Sequence, residues 1–192
     1  MANAVLRSFL PIFSVIFFLT TINVASAKPF SKTVSPSSLG LKKEKLTHLH
    51  FFLHDILTGE NPTAVQVASA ATTNTSSSFF GSVVVIDDLL TAGPDVKSKT
   101  VGRAQGMFAF ASQSELSLLM TINYVFTEGK FNGSTISILG RNAVFSGVRE
   151  LPIVGGSGVF RFARGFALLK THSFDVQLGN AVVEYDVYVL HY

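Results

Sequence analysis

The 192-residue chain contains no cysteine. Disulfides are excluded, so the fold must hold by packing alone. No helical 3.6-residue pattern runs longer than two turns, and no segment repeats with a period of 20–50 residues. The apolar run Phe9–Leu19, "FLPIFSVIFFL", falls well short of the ~20 residues that a membrane-spanning helix needs. The glycine-rich stretch "IVGGSGVFRFARGFALL" (153–169) lacks the lysine of a phosphate-binding loop and has no helical pattern behind it. There is no dinucleotide fingerprint, and no Ser-His-Asp order can be assigned. A basic stripe is missing as well. Lys28, Lys32, Lys42, Lys43 and Lys45 against Glu44 make residues 28–45 net +4, whereas 46–192 is net −2. The positive charge belongs to a tail, which argues against a nucleic-acid partner.

The first 27 residues read as a signal peptide. Arg7 is the positive start, Phe9–Leu19 the apolar centre, and Ala25–Ala27 the small-residue cleavage site before Lys28. A secreted protein with no membrane attachment after cleavage is expected. Asn74-Thr75-Ser76 and Asn132-Gly133-Ser134 are glycosylation sequons, and a glycan is expected on Asn74, Asn132 or both. Residues 28–45 are polar, carry two prolines and have no periodicity, so they read as a flexible arm.

From Leu46 the pattern alternates with period two. Strands are expected near 47–57, 79–87, 101–111, 117–127, 134–140, 148–154, 159–171 and 181–191, with room for a short further strand near 63–70. "TGENP", "TAGPD", "EGKFNG" and "GGSG" supply the turns. Such a series implies an all-β domain over 46–192, an antiparallel barrel or sandwich. Eight strands closing on themselves leave an interior suited to one small ligand.

In the first strand Asp55 shares a face with Leu49, Phe51, Leu53 and Leu57. A carboxyl group there has a raised pKa and suits a general acid. The other reading is a carboxylate at a strand end that bonds the turn at Thr58-Gly59. Arg149 shares a face with Leu151 and Ile153; it either pairs with a carboxylate, holds a phenolate oxygen, or makes a salt bridge at the rim. Ala163, Gly165 and Ala167 lead to Thr171 along one face, which gives either room for a ligand or a crowded wall. His48, His50 and His54 lie on the opposite face of the first strand. His48 and His50 are about 6.5 Å apart by strand rise and His54 about 20 Å from His48, so at most two could share an ion. A solvated polar face without metal is expected.

"FFLHDIL" (51–57), "VVVIDDLLT" (83–91), "VGRAQGMFAF" (101–110) and "VRELPIVGGSGVFRFARGFA" (148–167), in that order, resemble plant dirigent proteins. The resemblance covers nearly all of 46–192. It implies a secreted eight-stranded antiparallel β-barrel of the dirigent and allene-oxide-cyclase kind, a homotrimer with one pocket per subunit. It also implies chemistry on phenolic compounds through quinone methides or phenoxy radicals. The family's pocket residues fall on Asp55, Arg149 and Thr171. Where lignan-forming members carry Tyr and Asp, this chain has Phe108 and Asn142, and it lacks their cysteine pair. It is most similar to the cysteine-free branch with the legume pterocarpan synthases. That branch implies a cofactor-free dehydratase that converts a 2′-hydroxyisoflavanol to a pterocarpan, with Asp55 and Arg149 catalytic and Phe108, Asn142 and Thr171 binding substrate. The alternative within the family is a non-catalytic partner that directs coupling of radicals made by a separate oxidase.

Overall fold

The computed structural model describes residues 28–192; the expected signal peptide lies outside them. Residues 28–35 have no regular secondary structure. The second compact unit, Pro36–Tyr192, begins with a 3-10 turn at Pro36–Leu39 and continues into nine strands. These are β1 (Lys45–Asp55), β2 (Ala64–Ala68), β3 (Val83–Thr91), β4 (Thr100–Phe110), β5 (Ser117–Phe126), β6 (Thr135–Ala143), β7 (Arg149–Ser157), β8 (Arg164–Phe174) and β9 (Ala181–His191). No α-helix occurs among the described residues.

All pairings are antiparallel, in the order β1-β9-β8-β7-β6-β5-β4-β3-β2, and β1 also pairs with β3 to close the sheet. Nine strands make an eight-stranded barrel because β1 and β2 share one position. β1 pairs with the end of β3, from Phe52↔Thr91 to His54↔Leu89. β2 pairs with its beginning, from Ala64↔Ile86 onward. The chain leaves the wall after Asp55 and re-enters at Ala64, held by Thr63 N–H donating to the Ile56 carbonyl at 2.8 Å.

The period-two pattern sets inside from outside. On β5, Leu118, Met120, Ile122, Tyr124 and Phe126 point inward and are buried, while Leu119, Thr121 and Asn123 face out. Phe51, Tyr124, Tyr185, Ile136, Leu151 and Val187 fill the middle. Phe51 stacks on Tyr185 at 5.5 Å and meets Tyr124 edge-on at 5.2 Å.

Several sequence expectations change. The strand expected over 79–87 lies at 83–91, because Phe79 and Gly81 have left-handed backbone (φ 56° and 89°) that no strand accepts. The strand expected from 159 starts at Arg164. Gly158–Phe160 forms a 3-10 turn instead, and Phe160 is buried against Phe126, Phe131 and His191. The expected turn at 155–158 narrows to its last residue. Gly155 and Gly156 remain in β7, opposite Ser137 and Ile136, and the left-handed turn falls on Gly158 (φ 61°). The small face of β8 is a crowded wall at Gly165. A methyl group there would lie 2.0 Å from the Tyr188 carbonyl oxygen, at φ 146°. Gly165→Ala is expected to destabilise the protein by about 3 kcal/mol. Urea denaturation checks this; an unchanged midpoint contradicts it.

Candidate functional site

Asp55 ends β1, where the chain steps out of the wall. It does not bond the turn that follows. Asn180 Oδ1 accepts from Leu57 N–H and the Thr58 hydroxyl instead. Asp55 Oδ1 is buried without a hydrogen-bond partner, and loss of water raises the carboxyl pKa to about 6. An open cleft of about 740 Å³ reaches Asp55 at this end of the barrel, lined also by Val96, Phe174, Asn180 and Val182. Its volume lies in the usual range for a small-molecule site.

Arg149, at the start of β7, is only 5% exposed. Its Nε donates to Asn142 Oδ1 at 3.1 Å, and its Nη1 donates to Thr171 Oγ1 at 3.0 Å and to the Ser146 carbonyl at 3.4 Å. Among the described residues no carboxylate pairs with it, so neither the rim salt bridge nor direct pairing with Asp55 describes it. Burial pushes its pKa down, which is the mark of a cation short of a counter-charge. Asn142 in turn donates to Met120 Sδ at 3.1 Å. Phe108 is buried opposite Met120 and meets Phe110 at 5.8 Å. Thus Arg149, Asn142 and Thr171 form one connected group, with Phe108 beside it through Met120, and Asp55 stands apart.

What joins the two parts is a set of residues that sequence reasoning missed. Tyr185 is buried, and its hydroxyl feels the charges of Arg149, Asp88 and Asp55. Tyr124 lies edge-on to it at 5.5 Å, with a buried hydroxyl that has no hydrogen-bond partner. Burial raises both phenol pKa values, so both stay protonated. Asp88, on β3, is 1% exposed. Thr63 Oγ1 donates to its Oδ1 at 2.5 Å, while its Oδ2 is buried and unpartnered. Burial first, and the nearby Asp55 second, raise its pKa to about 8. The signal for the tyrosines was available: each sits on the apolar face of an alternating strand, where a polar tip needs a reason.

The histidine face is not uniformly solvated. His48 Nε2 bonds Asp186 at 2.7 Å and His50 Nε2 bonds Glu184 at 2.8 Å, both on the outer wall. His54 is only 4% exposed. It bonds Thr91 Oγ1 at 2.7 Å beneath the loop after β3, which brings Asp95 close. Among the described residues, His50, Glu184 and Asp186 form the group whose spacing could admit a metal ion, their ligand atoms lying within 4.8 Å of one another. That group sits outside the barrel, away from Asp55.

The model of the family described as "Dirigent-like protein" matches residues 46–190. The chain belongs to the dirigent family. This dirigent protein is 53% identical over 191 residues to dirigent protein 21 of Arabidopsis thaliana, covering all of both chains. It is 48% identical over 180 residues to pterocarpan synthase 1 of Glycine max, covering 93% of this chain and 94% of that one. The solved structure of the pterocarpan synthase dirigent protein GePTS1 is similar, with a TM-score of 0.78 and 50% identity, covering 84% of this chain and 99% of that one. The dirigent protein therefore has relatives of both kinds: dirigent proteins by name, and pterocarpan synthases.

Proposed function

We propose that this dirigent protein is a dehydratase of the pterocarpan-synthase type, acting on a 2′-hydroxyisoflavanol. The observation that carries the reading is a buried carboxyl group at the cleft and, apart from it, a buried guanidinium whose partners among the described residues are all neutral. Similarity to pterocarpan synthases over nearly the whole chain supports it.

The reaction removes the C4 hydroxyl and closes a ring onto the same carbon. Hydroxide is a poor leaving group, so Asp55 donates a proton and water departs. A phenol conjugated with C4 loses its proton to solvent, and a quinone methide results. Arg149 stabilises negative charge on that phenolic oxygen, which no carboxylate beside it competes for. The 2′-hydroxyl then adds to C4 and gives its proton to Asp55, and the phenolate takes a proton from solvent to restore the phenol. Phe108 holds an aromatic ring, while Asn142 and Thr171 fix the guanidinium and meet substrate hydroxyls. The barrel wall keeps bulk water from capturing the intermediate.

The test is turnover without oxidant. The purified protein, given a 2′-hydroxyisoflavanol, is expected to form pterocarpan well above the spontaneous rate. Formation at the spontaneous rate contradicts the proposal and favours the second reading, a non-catalytic director of radical coupling. That reading draws support from the likeness to Arabidopsis dirigent proteins.

Secretion to the apoplast, with a mature chain starting at Lys28, belongs to the same proposal, as do glycans on the exposed Asn74 or Asn132. Mass spectrometry of the mature protein reads both. A homotrimer is proposed too, supported by outward apolar side chains such as Met107, Leu119, Leu139 and Val154. Sedimentation at three times the monomer mass checks it.

A further inference from the structure

We propose that Asp55 and Asp88 share one proton across the seam that closes the barrel, and that Asp88 is the positioning residue that keeps it there. This rests on the dehydratase reading above. The β1–β3 ladder pairs Phe52 with Thr91, Leu53 with Leu90 and His54 with Leu89. Continued by one step, the same register sets Asp55 directly opposite Asp88. Opposed residues of an antiparallel pair have Cβ atoms about 4.5–5.5 Å apart. Both side chains take the inward alternation: Asp55 follows Phe51 and Leu53, and Asp88 sits between Ile86 and Leu90. Each keeps one buried oxygen without a partner. Two carboxylates so close and out of water resist being ionised together, so the second proton is held to higher pH.

The surroundings do not relieve the pair. Tyr185 on β9 and Tyr124 on β5 are neutral phenols. Arg149 on β7 is bound to Asn142 and Thr171, and its charge is felt at Tyr185. Arg103 on β4 and Asp87 on β3 face outward, paired with each other, and act on Asp88 in opposite directions. His54, next to Asp55, points the other way and meets Thr91 and the charge of Asp95. Among the described residues, only Thr63 bonds a member of the pair. Its hydroxyl donates to Asp88 and accepts from Ile56 N–H at 3.2 Å, so the residue after Asp55 holds the clamp in place.

The arrangement solves a problem for the acid. A lone carboxyl with a pKa near 6 is mostly ionised at pH 7. A shared proton keeps the acidic form available at neutral pH. During turnover the C4–O bond breaks as the pair gives its proton to the departing hydroxyl. The phenolic proton leaves to solvent. On ring closure the 2′-hydroxyl proton returns to the pair, and solvent reprotonates the phenolate. One water is lost, and the pair ends as it began.

The experiment compares kcat against pH for the wild type, Asp88→Asn, Thr63→Val and Asp55→Asn. Asp88→Asn removes the neighbouring charge, so the alkaline limb should move from near pH 8 to near pH 6, with about a tenfold loss at pH 7 and little loss at pH 5. Thr63→Val removes a bond to the ionised carboxylate and should move the limb the opposite way. An Asp88→Asn profile that superimposes on wild type overturns the shared proton while leaving Asp55 as the acid. A fully active Asp55→Asn takes Asp55 out of the chemistry and the pair with it, whereas a wild type that forms pterocarpan only at the spontaneous rate overturns the dehydratase reading. Infrared titration of the wild-type protein needs neither a variant nor a substrate. A protonated-carboxyl band persisting at pH 7 is expected, and its absence overturns the pair.

Discussion

Asp55→Asn should lower kcat for ring closure by about 100-fold or more while raising thermal stability at pH 7. General acids contribute about 10²–10⁴-fold to rate, and asparagine cannot give up a proton in this way. The side chain keeps its size, so packing against Phe51 and Leu53 is preserved. Stability moves in the opposite direction to rate because the native carboxyl is desolvated and unpartnered at Oδ1. Removing its ionisation removes a cost that folding otherwise carries. The two readings together separate a catalytic role from a structural one. A structural carboxylate would lose activity and stability together. Steady-state kinetics and thermal melts on the same preparation decide it. Unchanged kcat at unchanged fold takes Asp55 out of the chemistry.

The protein should also lose stability as pH rises from 7 to 8. Asp88 has a native pKa of about 8 against an ordinary value of 3.8. At pH 7 the native state therefore holds a proton that the unfolded chain has released. Stability falls with pH wherever the native state binds more protons, here by about 1 kcal/mol over that unit. The decline begins above the ordinary carboxyl range and levels off beyond the native pKa. His54 works the other way: burial lowers its pKa, so its contribution is complete above about pH 6.5 and is lost on acidification. Between pH 7 and 8 the imidazole is neutral in both states, and the carboxyl effect stands alone. Urea denaturation at both pH values measures it, and Asp88→Asn should flatten the dependence. A stability that stays flat over this interval would mean that both carboxyls are already ionised in the native state.

The barrel was legible because alternation survives wherever one face is buried. β9 spans the 181–191 read from "AVVEYDVYVLH", and β5 runs to within one residue of the expected 117–127. The glycine stretch does lead through a turn into a strand, yet the turn was spread over four residues where one left-handed glycine suffices. Asp55 and Arg149 were legible as charges on apolar faces. Asp88 was not. "IDDLL" looks like a strand ending in two turn-forming carboxylates, and tertiary pairing with β4 and, at its end, with β1 carries the strand through Thr91. His54 was misplaced for a related reason. Alternation separates two faces but cannot say that a loop will fold over the outer one. Thr63 lies beyond a turn, and its bond to Asp88 joins residues 25 positions apart, a distance no local pattern encodes.

The stave divided between β1 and β2 has a mechanical consequence. β1 grips β9 over eleven residue pairs but meets β3 over only three. Short ladders open first. The joint is thus the place where the cylinder can breathe, and Asp55 sits at its lip. The rigid tetracyclic product of the proposed reaction could leave by a brief parting of those three rungs, without disturbing the rest of the hoop.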